Sequence, residues 1–219
     1  HRLSAVRRAW SKCLFAIVVA DVFETITIRE TRVLQTQLAE ASINAALWIV
    51  NQQLISKYGD SLVANGLAVL ALGKLGGGGL DYDSDLDLVV VYDESKAVPN
   101  GVTNAEFYGW AVETFVTTLS SMTRDGSLYR VDLRLRPYGK NGLIVLPGDG
   151  FLSYFRETAE VWEMLAFVKL RAVGGDRTLG ERVEFETRRI IHDRASTIGV
   201  DTLRDETVRV RHALEKQRA

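Results

Sequence analysis

At 219 residues, 47% hydrophobic and 25% charged, the chain has an ordinary globular composition and is long enough for a sizeable core. Its formal net charge of -1 gives no global attraction to nucleic acid or to an anionic membrane, and no apolar stretch approaches membrane-spanning length. Cys13 is the single cysteine, so no internal disulfide can form and a reducing, cytoplasmic setting is expected.

The chain opens in mid-pattern at His1 and closes on a charged helical run, so it is expected to be a piece of a longer one. Residues before Gly59 read as helical. Leu34, Leu38, Ala41, Ala45, Trp48, Gln52 and Ile55 recur alternately four and three apart, a stripe on one long helix. Thr27 and Glu30 have the spacing of a capping box at its start, and Gly59 suits its end. Leu67 to Leu72 is a short apolar run that predicts a strand feeding straight into Gly73.

The stretch Gly73 to Tyr92, GKLGGGGLDYDSDLDLVVVY, carries the chemistry. A glycine-rich turn leads to Asp85 and Asp87, which open the β-branched run Leu88 to Tyr92, a buried strand. Residues two apart in a strand point the same way, so Asp85 and Asp87 share a face, with Leu86 and Leu88 on the other. Adjacent carboxylates repel and tend to share a proton or a cation, and oxygen ligands suit Mg2+.

Beyond a loop at Pro99 to Gly101, the residues Phe107, Ala111, Phe115, Leu119 and Met122 mark another amphipathic helix. Ser127 to Arg136 alternates as a strand that Pro137 ends. Tyr129, Val131, Leu133 and Leu135 form one face, and Leu128, Arg130, Asp132, Arg134 and Arg136 the other. Gly142 to Leu146 suggests a short edge strand. From Asp149 onward the pattern is helical, with Trp162 to Arg171 as one helix, Gly174-Gly175 as a break, and Thr178 with Glu181 capping the next. Leu203, Thr207, Val210 and Leu214 give the last stripe. The expected organisation is an α+β fold. Helical segments at 1–58 and 149–219 flank a mixed core at 59–148, whose small sheet carries helices on one face.

Three readings of the cluster Asp81, Asp83, Asp85 and Asp87 fail. An EF-hand loop from Asp83 would put Leu88 where the turn needs glycine. A dehalogenase-type phosphatase needs its strand before the aspartates. A P-loop needs Gly-Lys-Ser/Thr at its end, whereas Lys74 precedes these glycines.

Leu75-Gly76-Gly77 followed by Asp85-Leu86-Asp87 resembles the polymerase β-like nucleotidyltransferase pattern. More closely, Gly73-Lys74-Leu75-Gly76-Gly77 with Leu80 to Leu88, then Tyr129-Arg130-Val131-Asp132-Leu133-Arg134-Leu135-Arg136-Pro137, then Trp162-Glu163 with Val168-Lys169-Leu170-Arg171, resembles glutamine synthetase adenylyltransferases in three ordered motifs. Members of that family carry two catalytic halves, one attaching AMP to a tyrosine of glutamine synthetase and one removing it by phosphorolysis. This chain has one Asp-x-Asp signature, and Arg130, Tyr138-Gly139 and Lys169 make it more similar to the AMP-removing half.

The resemblance implies a polymerase β-like core and two divalent ions, Mg2+ or in its place Mn2+. Asp85, Asp87 and Asp132 are the implied metal ligands and catalytic residues. It also implies glutamine synthetase as partner, ATP, ADP or orthophosphate as small substrates, and a PII-type signalling protein as regulator, with no part for nucleic acid or membrane. Gly76 and Gly77 would let backbone approach phosphate closely, with Lys74, Ser84, Arg134 and Arg136 as further nucleotide or phosphate contacts.

Plainer readings stand beside these. Asp85 and Asp87 also suit turn and cap positions, Asp132 a pairing with Arg130 or Arg134, and the arginines a solvated face. Glu163, Lys169 and Arg171 suit an ordinary helix surface. His1, His192 and His212 lack ligand spacing and receive no role, and Trp10, Trp48, Trp110 and Trp162 read as core. Gly79 stands where the family pattern has glutamate. A catalytically weak domain that binds nucleotide or a regulator is therefore the alternative.

Overall fold

A computed structural model describes residues 2–59 and 66–218. His1 and the side chain of Leu214 lie outside the described residues. Two long antiparallel-strand partners form the centre. β1 (Leu67–Ala71) is wholly buried and pairs antiparallel with β2 (Leu86–Tyr92), from Leu67 opposite Tyr92 to Ala71 opposite Leu88. The sheet order is β3-β2-β1-β5, where β3 is Val131–Asp132 and β5 is Arg171–Gly175. β3 runs parallel to the start of β2, and β4 (Leu146–Pro147) runs parallel to its end. The sheet is therefore mixed, and the fold is α+β as expected.

The first helices form where the sequence places them, but the second buries a different face from the expected stripe. Ala39, Ile43, Ala46, Ile49, Val50 and Leu54 are buried, whereas Ala41 and Trp48 are exposed and Leu34, Leu38, Ala45, Gln52 and Ile55 are half-buried, because apolar residues fall on both faces of this helix. α1 spans Arg2–Val22 and α2 spans Ile28–Tyr58. Thr27 caps α2 in a full capping box with Glu30, a device contributing on the order of 1 kcal/mol, and the Gly59 amide closes it on the Ile55 carbonyl. α4 (Asn104–Ser120) has its own box from Thr103 and Glu106. It stops two residues short of Met122, which is 77% exposed rather than part of the buried stripe.

Helices cover both faces of the sheet, not one. The face bearing Leu67, Val69, Leu86, Leu88 and Val90 packs against Ile43, Val50 and Leu54 of α2 and Phe107, Ala111 and Phe115 of α4. The face bearing Ala68, Leu70, Val89 and Val91 packs against α5 (Gly148–Glu157), α6 (Val161–Phe167) and α7 (Arg177–Ile198) through Phe151, Phe155, Phe167, Leu179 and Val183. A strand buried on both faces loses the polar alternation that would have marked a solvated side, so one- and two-sided cover look alike in sequence.

Three further expectations are corrected. The segment Ser127 to Arg136 pairs only at Val131–Asp132, because the chain then folds on itself: Arg136 donates to the carbonyls of Leu133, Lys140 and Gly142, and Tyr138 adopts a left-handed φ of 61°. The helix expected to reach Arg171 ends at Phe167, and Gly174-Gly175 belong to a strand instead of breaking a helix. A Cβ on Gly174 would sit 2.9 Å from Ile43 Cγ2 and 3.2 Å from Leu47 Cδ1, so this glycine lets α2 lie close against β5. Finally, Asp176 caps α7 by accepting from the Leu179 amide, two residues before the expected Thr178. The last helix, α8 (Val200–Arg218), forms as expected, but of its stripe Leu203 and Val210 are only half-buried and Thr207 is exposed. Of the tryptophans, Trp10 and Trp110 pack at the core edge, whereas Trp48 and Trp162 are 49% and 41% exposed.

The glycine turn between β1 and β2 is ordered by its own hydrogen bonds, from the Gly78 amide to Leu75 and from the Gly79 amide to Lys74. A side chain on Gly79 would meet nothing within 4 Å, and its φ is not positive. Gly79→Ala is therefore expected to stabilise the protein by about 0.4–1 kcal/mol through loss of unfolded-chain entropy. A lower thermal midpoint for the variant would contradict this.

Candidate active site

The site lies where the apolar face of β2 runs out. Asp85 and Asp87 continue the side of the strand that carries Val89 and Val91, while Leu86 and Leu88 are wholly buried on the opposite face. Parallel pairing sets Leu86 beside Val131 and Asp87 beside Asp132, so two carboxylates from segments 45 positions apart become neighbours. β1 delivers the turn to the same place. Gly73 has φ +55°, and a Cβ there would collide with the Asp87 carboxylate. Only glycine combines that backbone with that contact.

Basic side chains neutralise most of the acidic cluster. Lys74 Nζ lies 2.9 Å from Asp81 and Arg32 Nε 2.7 Å from it, and together they hold its carboxyl below the usual range. Arg130 reaches Asp83 at 3.0 Å and Asp85 at 2.5 Å, and also donates to the Asp83 carbonyl. Arg134 grips Asp132 with a fork-like contact and donates its own amide to the same carboxylate, which lowers the Asp132 pKa.

Asp87 has no ion-pair partner among the described residues. Burial, then the charges of Asp132 and Asp85, push its pKa upward. Its folded-state proton is therefore released at higher pH than in the unfolded chain. Deprotonation costs stability as pH rises from the usual carboxylate value through the raised one. Without metal, Asp87→Asn is expected to melt above the parent protein at neutral pH, with the advantage shrinking in acid. Equal midpoints across that range would contradict the assignment.

The other expected site residues divide. Ser84 Oγ lies 3.4 Å from Lys74 Nζ, so these two meet beside Asp81. The amides of Gly76 and Gly77 donate within the turn, to Leu72 and Gly73, and the turn itself is a short helix, α3 (Gly73–Gly76). Arg136 donates to loop carbonyls and pairs with no carboxylate among the described residues, though its charge helps to lower the Asp132 pKa. Among the described residues no three acidic, histidine or cysteine side chains are drawn together as a ready-made metal cage. The donor set nonetheless fits a hard cation, because Asp87 and Asp132 adjoin, Asp85 lies two residues away on the same face, and Asp87 has no ion-pair partner among the described residues.

Arg32, which reaches Asp81 from α2, carries no signal in the sequence. Gly73 opens the glycine motif but its contact with Asp87 exists only in the fold, and Arg130, an expected partner of Asp132, pairs with Asp83 and Asp85 instead. Glu163 is buried, accepting from the Tyr154 hydroxyl and the Glu160 amide, so it braces α6 and is not the helix surface considered above.

No described helix is long and apolar enough to cross a membrane. A family model described as glutamate-ammonia ligase adenylyltransferase matches residues 1–186. The bifunctional glutamine synthetase adenylyltransferase/adenylyl-removing enzyme of Methylococcus capsulatus (strain ATCC 33009 / NCIMB 11132 / Bath) is 37% identical over 189 residues. That match covers 83% of this chain and 20% of the relative, so the chain spans about a fifth of that protein's length. With the strand-borne aspartates, the glycine turn and most of the chain matched, this protein belongs to the glutamate-ammonia ligase adenylyltransferase family.

Proposed function

We propose that this domain catalyses metal-dependent nucleotidyl transfer on glutamine synthetase, in the direction of AMP removal. In that reaction an orthophosphate oxygen forms a bond to the AMP phosphorus, the bond from phosphorus to the tyrosine oxygen breaks, ADP leaves, and the tyrosine oxygen takes a proton. The observation that carries the reading is the pairing of Asp87 with Asp132 across β2 and β3, with Gly73 pressed against the Asp87 carboxylate. The direction rests on the likeness of Arg130, Tyr138-Gly139 and Lys169 to the AMP-removing half. It is compatible with the relative's name, which carries both activities.

Asp85, Asp87 and Asp132 would hold the divalent ions, Mg2+ or Mn2+, which when bound neutralise charge between two phosphates that otherwise repel. The chain's own groups position the reactants. Gly77 is exposed at the turn and leaves room for phosphate there, with Lys74 and Ser84 nearby, whereas Gly76 is buried against the Lys169 and Ala71 carbonyls and serves the packing of the turn instead. Arg134, once a cation takes over Asp132, has a fork free for phosphate. Arg136 serves instead by shaping the loop that carries Arg134. Residues 59–148 form the catalytic core in this reading, with helical segments 1–58 and 149–219 and with β5 lent to the sheet by the latter. A PII-type protein would be the regulator.

The test is to incubate the protein with Mg2+ and both forms of glutamine synthetase, adding ATP or orthophosphate, and to follow AMP on the tyrosine by mass. Phosphate-dependent loss of AMP is expected; adenylylation from ATP with no such loss would reverse the direction. A catalytically silent nucleotide- or regulator-binding module is the second reading. The arginine pairs at Asp85 and Asp132 favour it, since they already neutralise two of the three carboxylates. Its mark would be neither reaction, and no Mg2+ uptake.

A further inference from the structure

We infer that Lys169 is a phosphate-contacting residue of this site, an assignment that rests on the nucleotidyl-transfer reading above. Sequence places Lys169 some 90 positions after the glycine turn, in the link between α6 and β5. The fold brings it back. β5 pairs with β1, Arg171 opposite Ala71, so the residues just before β5 run alongside the turn that follows β1. The contact is tight. A Cβ on Gly76 would collide with the Lys169 carbonyl, and one on Gly77 would lie 3.1 Å from Lys169 Cδ and 3.5 Å from Nζ.

Arg171 anchors this segment to the turn. Its Nε donates to the Gly76 carbonyl at 3.2 Å and Nη2 to the Leu75 carbonyl at 2.9 Å, while the same guanidinium pairs with Glu40 of α2. The Lys169 stem is thereby laid across Gly77, which is itself exposed.

Charge separates Lys169 from the lysine that sequence favours. Lys74 is held by Asp81. Lys169 is exposed and has no carboxylate partner among the described residues. The amides of Gly76 and Gly77 are already used within the turn, so the turn offers an anion space but little of its own donor capacity. A cation laid over Gly77 supplies what is missing. An ammonium there suits the terminal phosphate of a nucleoside di- or triphosphate, as a compact point charge.

The test is calorimetric titration of Mg2+-ADP, Mg2+-ATP and adenosine into the parent protein, Lys169→Met and Lys169→Arg, with thermal midpoints alongside. Lys169→Met is expected to weaken ADP and ATP about tenfold, the scale of one charge-assisted hydrogen bond. Adenosine affinity and the midpoint should stay unchanged, and Lys169→Arg should restore most of the loss. Parent-like binding of ADP and ATP by Lys169→Met, or an equal loss for adenosine, overturns the assignment. Asp87→Asn run in parallel keeps the two ideas apart. If it too binds Mg2+-ADP and turns over like the parent, the nucleotidyl-transfer reading falls. If it fails while Lys169→Met behaves as parent, only the role of Lys169 is lost.

Discussion

Asp87→Asn is expected to reduce turnover by at least about 10²–10³-fold, the scale seen when one preorganised charge-stabilising group is removed. Among Asp85, Asp87 and Asp132, Asp87 is the carboxylate with no ion pair among the described residues, set between Asp132 and Gly73. Its burial makes it the group with most to gain from a cation. The substitution should therefore weaken metal-dependent nucleotide binding together with turnover. Asp132→Asn should behave differently. In the proposed reading Asp85 and Asp87 would serve the ion on the nucleotide side and Asp132 the ion beside the attacking oxygen, so nucleotide binding should stay nearly intact while turnover falls by orders of magnitude. Equilibrium titration with Mg2+-ATP and single-turnover assays on both variants separate these outcomes. Unchanged turnover in the Asp132 variant would leave that residue as the partner of Arg134 alone.

Gly73→Ala is expected to damage both stability and function, although it adds one methyl group. The left-handed backbone at φ +55° costs a non-glycine residue roughly 1–2 kcal/mol. The new Cβ must also displace the Asp87 carboxylate, since it would occupy the same space. Thermal unfolding should show a lowered midpoint, and Mg2+ binding should weaken in step with activity. Removing the obstructed side chain isolates the second effect. In an Asp87→Ala background the same Gly73→Ala change should cost only the backbone term, because nothing remains for the methyl to strike. An equal cost in both backgrounds would show that the Asp87 contact is not what requires glycine at Gly73.

Short-range signals account for what the sequence by itself determined here. The Thr27–Glu30 capping box, the apolar runs of β1 and β2, and the placement of Asp85 and Asp87 opposite Leu86 and Leu88 all follow from side-chain geometry within a few residues, and each formed as read. The α+β class and the family followed from motifs of the same local kind. Only the tertiary structure decided the rest, because it depends on which segments meet. The pattern at Ser127 to Arg136 gave no sign that pairing stops at Asp132, since Arg136 spends its donors on carbonyls up to Gly142. β5 was hidden because Gly174 and Gly175 read locally as helix breakers, yet their missing side chains are what admit α2 and the edge of β1. Arg130, Arg171 and Lys169 acquired their partners from chain 45 to 131 positions away. Charge pairing at that separation leaves no periodicity to read; it exists only once the sheet has closed.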